Sequence, residues 1–304
     1  MNRAVASGLR ISTTAGPGTR RWRGVVILLP MLWLIGVVVL PMLVLLKVAL
    51  AQAPAADGVV NVFSWQVSLE HLRQLAEDAR YSSAYINSLR MASLTTIACL
   101  LLGVPLALAI ARSPRRWRGL LLFAAVLPFF TSFLLRAYAW MGFVGSAGPL
   151  DVALRVFGVD AGILAVLGSP PVILLGMVYT YLPMMVVPVY VNLVRQDVRL
   201  LEAARDLGAS ELHSVVSITL PLALPGMLAG CMLVFGPAVG EFIVPVLLAG
   251  AEAPMVGVVI WEAFFTAGDW PVAAALAVVL GLLLLSPMAL LQARLLLPAG
   301  ESRA

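Results

Sequence analysis

Residues 202–221 read Glu-Ala-Ala-Arg-Asp-Leu-Gly-Ala-Ser-Glu-Leu-His-Ser-Val-Val-Ser-Ile-Thr-Leu-Pro, a polar island between two long apolar stretches. Just ahead of it, Asp197 is placed to cap a helix from Val198 to Leu207, because a side-chain oxygen there accepts from the unpaired N–H groups of the first turn. Gly208 is placed to end that helix in a left-handed conformation, which costs glycine little. Ser210 then caps a second short helix, and Pro221 marks the return into the next apolar stretch. The small pair Ala203-Ala204 lets another surface approach closely, and Glu202 offers it a charge. A charged helix, a glycine break and a second helix make a projection that a soluble partner can grip.

The rest of the chain is what holds this projection in place. Of 304 residues, 62% are hydrophobic and 12% charged, and the mean hydropathy is +1.01, too apolar for an ordinary water-soluble globule. Against the roughly 20 residues that cross a hydrocarbon core, the charge-poor runs are Gly24 to Leu46, Met91 to Ala111, Gly119 to Leu135, Ala161 to Val194, Ser214 to Gly240 and Trp270 to Ala293. The expected fold is therefore all-α, a polytopic membrane protein with six transmembrane helices. The third run is short and is expected to continue past Arg136 toward Val144, and the fourth is long enough to include an entering loop. Prolines 105, 128, 183, 188, 225, 237 and 245 fall in these runs, which fits kinked helices around a cavity as well as the ordinary tolerance of membrane helices for proline.

Arginines set the orientation, since cytoplasmic loops retain Lys and Arg near span ends. Fourteen of the 20 basic residues lie on one side under six spans: Arg3, Arg10, Arg20, Arg21 and Arg23; Arg112, Arg115, Arg116 and Arg118; Arg195, Arg199 and Arg205; Arg294 and Arg303. Both termini and the island are thus expected in the cytoplasm, with segments near 48–85, 145–160 and 249–269 outside. The organisation is then a tail (1–24), a first transmembrane helix (25–47), an external segment (48–85), a transmembrane core (86–295) carrying the polar loop 195–221, and a second tail (296–304). Turn formers Pro54, Asp57, Gly58 and Asn61 open the external segment, and Ser68 to Arg80 reads as a short polar helix. The formal charge of +5 follows from this topology and makes no case for nucleic acid. Ala49-Leu50-Ala51 after the first run also fits a signal-peptide cleavage site, but the run exceeds the ~7–15 residues of a signal core, so a retained anchor is expected. Cys99 and Cys231 lie in apolar runs, where a thiol behaves as a small hydrophobe, and no metal-ligand spacing is present.

Glu241 stands out because it lies in an apolar stretch, where a charge costs roughly 2.5–3.5 kcal/mol on insertion scales and so faces a cavity or a partner. Three readings stay open for it: an ion pair with Arg136, contact with a transported cation, or exposure at the outer interface. Trp140, Tyr179, Tyr181 and Phe235 are candidates to line a path, since ring faces attract an ammonium weakly, although packing and interface anchoring are commoner roles.

Glu202-Ala203-Ala204, three residues, Gly208, nine residues, Ile218-x-Leu220-Pro221 resembles the EAA loop of the permease subunits of binding-protein-dependent ABC importers. The likeness extends over roughly residues 60–295 and is similar to the spermidine/putrescine permeases of that family. Leu127 to Trp140 (Leu-Pro-Phe-Phe-Thr-Ser-Phe-Leu-Leu-Arg-Ala-Tyr-Ala-Trp), Tyr179 to Pro183, Gly240-Glu241-Phe242 and Gly268-Asp269-Trp270-Pro271 carry it. The resemblance implies a type I ABC importer permease fold in a bacterial inner membrane. It also implies a second permease subunit in a heterodimer, two cytosolic ATP-binding subunits, an external solute-binding protein and a polyamine as solute. Residues 202–204, 208, 218, 220 and 221 would then contact the ATPase. No Gly-rich phosphate loop with Lys and Ser/Thr is present, so ATP and Mg are expected on a partner and no cofactor on this chain. An ion-coupled secondary transporter shares the apolar composition but gives the island no purpose, and another small organic solute fits the same importer role. An intramembrane enzyme would need a nucleophile and base, yet the two histidines, His71 and His213, fall in the external segment and the island.

Overall fold

The computed structural model describes residues 17–51, 68, 70–145, 148–156, 170–249 and 255–296. Much of the two expected tails, and residues 52–67 of the expected external segment, lie outside the described residues. The described elements are helices: α1 (Pro17–Ala49), α2 (Glu70–Glu77), α3 (Ala79–Arg112), α4 (Arg115–Phe130), α5 (Phe133–Val144), α6 (Pro149–Val156) and α7 (Pro170–Val194). They continue with α8 (Val198–Asp206), α9 (Glu211–Ser214), α10 (Leu220–Val239), α11 (Ile243–Ala249), α12 (Val256–Trp261) and α13 (Trp270–Leu296). Two π-turns interrupt the series, Val215–Thr219 ahead of α10 and Glu262–Thr266 after α12.

Four helical segments are long and apolar enough to cross a membrane: Leu28–Ala49, Ala79–Arg112, Pro170–Val194 and Glu211–Val239. A fifth arises if α4 and α5 count as one span, and the described apolar part of α13, Trp270–Ser286, is shorter. The chain is thus an all-helical polytopic membrane protein with four to five candidate spans, and each of the six apolar runs of the sequence contains a helix. The second run falls within a longer helix than its composition suggests. Asp78 caps α3, its carboxylate accepting from the Arg80 N–H, so the polar residues Ser82, Ser83 and Asn87 belong to the helix and not to a loop before it. The stretch 68–80 is consequently split between α2 and the first turn of α3.

The third run does not continue straight toward Val144. Thr131 and Ser132 are extended, and α4 meets α5 at a bend of 90°. Ending a helix inside an apolar segment frees carbonyls that lipid cannot satisfy. Here the Pro128 carbonyl accepts from the Thr131 N–H at 3.3 Å, the Thr131 hydroxyl at 2.7 Å and the Arg136 guanidinium.

The core is the mutual packing of α3, α7 and α10. Met185 of α7 is fully buried between two glycines: a Cβ on Gly103 would stand 2.7 Å from its Cγ, and one on Gly230 2.6 Å from its Sδ. Small residues at such crossings let backbones close up, and packing then holds membrane helices together where lipid supplies no hydrophobic drive. α1 lies apart from this core, with no residue of its most apolar window fully buried, and packs along α13. Replacing Gly226 tests the α7–α10 packing directly, because its added Cβ would meet the Pro188 carbonyl oxygen at 2.9 Å and the Asn192 Cβ at 2.6 Å. Gly226→Val is expected to cost about 1–3 kcal/mol through overpacking. Gly119→Ala, with nothing within 4 Å of the new methyl, is expected to be neutral. Thermal unfolding of the detergent-solubilised chain distinguishes the two.

Candidate functional site

The polar island folds as an arm of two helices. Asp197 accepts from the Arg199 N–H at 3.0 Å and starts α8. Gly208 adopts φ +83°, the left-handed turn that ends it. Ser210 accepts from the His213 N–H at 3.3 Å and starts α9. The chain then enters α10 through the first π-turn, where the Val215 carbonyl accepts from the Leu220 N–H five residues on. Gln196 closes the base of the arm, its amide donating to the Thr219 carbonyl at 3.1 Å.

Of the island residues singled out by the sequence, Glu202, Ala203, Gly208 and Pro221 are exposed, Ile218 and Leu220 half-buried, and Ala204 buried. The arm therefore presents Glu202 and Ala203 to whatever docks on it, while Ala204 packs inward. One contact absent from the sequence reading joins the arm to the bundle: Arg112, the last residue of α3, lies 3.0 Å from Glu211, and Arg205 of α8 reaches the same carboxylate oxygen at 3.6 Å. No pattern in one strand of sequence signals a pairing between residues 112 and 211.

A second set of polar groups lies where helices break. Glu241 occupies the gap between α10 and α11 and is buried. Its Oε1 accepts from the N–H groups of Phe242, Ile243 and Val244 at 3.1, 2.9 and 3.3 Å, and its Oε2 accepts from the Tyr181 hydroxyl. The carboxylate thus caps α11, and charge-assisted bonds of this kind hold an anion where solvent does not. Among the described residues Glu241 makes no ion pair with Arg136, and its burial removes it from an exposed outer interface. Tyr181 is the partner, sixty positions away in the chain and invisible to spacing.

Arg136 is also buried, with its Nε unpartnered, and stands beside a cleft of about 280 Å³ lined by Ala139, Trp140, Phe143 and Tyr179. Trp140 meets Phe143 and Tyr179 edge to face, with ring centroids 5.6 and 5.4 Å apart. Two of the four candidate path aromatics, Trp140 and Tyr179, are therefore brought together. Tyr181 is spent on Glu241, and Phe235 packs half-buried against the core. A longer aromatic series went unread in the sequence: Phe242, Trp261, Phe265, Phe264 and Trp270 follow one another with centroids 4.1 to 5.7 Å apart. Closely spaced aromatics at 261–265 were its available signal. Among the described residues no group of three or more His, Cys, Asp or Glu side chains could hold a metal.

Comparison with known proteins agrees with this arrangement. Residues 100–296 match the family described as binding-protein-dependent transport system inner membrane component. The spermidine/putrescine transport system permease protein PotB of Salmonella typhimurium (strain SL1344) is 38% identical over 271 residues, covering 88% of this chain and 93% of the relative. Its namesake in Escherichia coli (strain K12) is 39% identical over 257 residues, 83% of this chain and 92% of the relative. A bacterial ABC transporter involved in the import of the acidic polysaccharide alginate superposes with a TM-score of 0.70 at 19% identity, covering 91% of this chain and 97% of that one, a likeness of fold alone.

The Glu241 cap yields a stability prediction. Tyr181→Phe removes one donor from a buried carboxylate and is expected to cost about 1–3 kcal/mol, while Glu241→Ala also uncaps α11 and is expected to cost more. Unfolding midpoints of the purified chain in detergent check the order.

Proposed function

This chain belongs to the binding-protein-dependent transport system inner membrane components, and we propose that within that family it forms half of the translocation path for a polyamine. It is the permease component of an ABC transporter of the bacterial inner membrane, not its ATPase, and works with an ATPase and a binding protein. The observation that carries the polyamine reading is its likeness, along nearly the whole chain, to permeases named for spermidine and putrescine.

On this reading six spans, formed by α1, α3, the bent pair α4–α5, α7, α10 and α13, put both termini and the arm in the cytoplasm, in line with the arginine distribution. A second permease subunit completes the path, and two ATPase subunits hold ATP and Mg. The arm, with Glu202, Ala203, Ala204, Gly208, Ile218, Leu220 and Pro221, seats on one ATPase. Closure of the ATPase pair pushes it, and the broken helices turn that push into alternating access. Trp140 and Tyr179 offer ring faces along the path, and Glu241 holds the α10–α11 break in shape instead of gripping solute. A second reading, an importer of an anionic or zwitterionic solute, is favoured by the Arg136 guanidinium beside the aromatic cleft.

Two measurements test these readings. In vesicles containing the whole complex, ATP-driven uptake of labelled spermidine or putrescine should be competed by unlabelled polyamine. If an anionic or zwitterionic solute competes and polyamines do not, the second reading replaces the first. Glu202→Lys changes the exposed docking charge, and Gly208→Val forces an L-residue to φ +83°. Each is expected to lower ATP-driven uptake about ten-fold or more in a chain that still inserts, as a strain of roughly 1–2 kcal/mol or a reversed charge at the docking surface would give.

A further inference from the structure

We infer that Arg112 and Glu211 are positioning residues for energy coupling, their ion pair pinning the projecting arm to α3 so that α3 carries the arm's movement to the opposite end of the bundle. This rests on the arm being the ATPase contact. Gln196 fastens the base of the arm only to the arm's own return strand. Among the described residues, Arg112 to Glu211 is the one ion pair between the arm and a helix outside it. The same Glu211 oxygen receives Arg205 from α8. One carboxylate thus gathers α8, α9 and the end of α3, so that while the pair holds a displacement of α8 is biased toward the end of α3.

The far end of α3 is held in the same manner. Arg80, its second residue, reaches Glu262 at 2.7 Å, and Glu262 opens the second π-turn. Between the two pins runs one unbroken helix of 34 residues, about 51 Å at 1.5 Å per residue, longer than the roughly 30 Å hydrocarbon core. From Ala92 to Ile110 it packs in the core with α7 and α10, and its first turns pack against α12 and α13. At each end the segment it grips adjoins or contains a π-turn, a feature that recurs at functional sites in helices. The side chains are 37% and 67% exposed at the Arg112 pin and 58% and 45% at the Arg80 pin. Pairs so exposed contribute little to folding, so their placement serves position and they can part and re-form during a cycle.

The test uses the full complex, both permease subunits with the ATPase and the solute-loaded binding protein, in vesicles, and reads solute imported per ATP hydrolysed. Arg112→Glu and Glu211→Arg are each expected to lower this ratio up to about five-fold, the upper end for an exposed pair, with the complex still assembled. The double variant, Arg112→Glu with Glu211→Arg, restores the 112–211 attraction, though not the Arg205 contact, and is expected to bring the ratio back to within about two-fold, a rescue that a loss at either residue independent of the pair would not give; the imported-per-hydrolysed ratio, read at equal assembly, separates coupling from a loss of folded complex. Single variants at the wild-type ratio, or a double variant no better than the singles, overturn the inference while leaving the permease reading intact. A wild-type complex that imports no tested solute with ATP overturns both.

Discussion

Inside a bilayer a backbone N–H or C=O has no water to fall back on, so every place where a helix stops must carry its own partner. This chain stops its helices repeatedly, and several of the described stops have identifiable partners, one of them distant: the Val256 N–H that opens α12 donates to the Ser88 hydroxyl of α3 at 2.8 Å. The Pro128 carbonyl takes donors from Thr131 and Arg136 where α4 turns into α5. The first N–H groups of α11 find the Glu241 carboxylate. The arm has Asp197, Ser210 and Gln196. Glu241 and Arg136, two charges that look out of place in so apolar a sequence, each serve a backbone break beside them.

That constraint divides the molecule into a stiff part and a part built of short pieces. α3, α7 and α10 are packed closely, with Gly103 of α3 and Gly230 of α10 against the Met185 side chain of α7 and Gly226 of α10 against the Pro188 carbonyl. Interiors at this density transmit displacement instead of absorbing it. Around them α4, α5, α11 and α12 are shorter pieces, and α4 meets α5 at a bend of 90°. A push at one end can therefore travel along the packed trio and be spent in changing the angles of the pieces, which is the division of labour that alternating access needs.

What the sequence made legible follows the range of the interaction. Caps act across two or three residues, so Asp197, Gly208 and Ser210 were readable from their order alone. Burial of a charge in an apolar run is also local, and it singled out Glu241. Its partner was not readable, because Tyr181 arrives from another helix, and the suggested pairing with Arg136 failed for the same reason: both lie near helix breaks, but each is committed to its own. Span lengths were legible only as apolar runs. α3 extends twelve residues beyond the run that begins at Met91, since a helix capped by Asp78 continues past its hydrophobic section into polar residues. The π-turns left no trace, because a five-residue hydrogen-bond loop has no composition of its own.

Under the proposed function, with Trp140 and Tyr179 along the path, the disposition of charge bears on how a polycation would pass. An open carboxylate in a low-dielectric path would trap it, since two unit charges 4 Å apart attract by about 4 kcal/mol even at an effective dielectric constant of 20. Glu241 avoids this by having its oxygens occupied by three N–H groups and a phenol. Ring faces such as those of Trp140 and Tyr179 attract an ammonium by roughly 0.5–2 kcal/mol, enough to admit it and little enough to release it. Conduction demands that weakness. On the proposed reading, a path made this way would leave strong capture of the solute to the binding protein and to this chain the opening and closing.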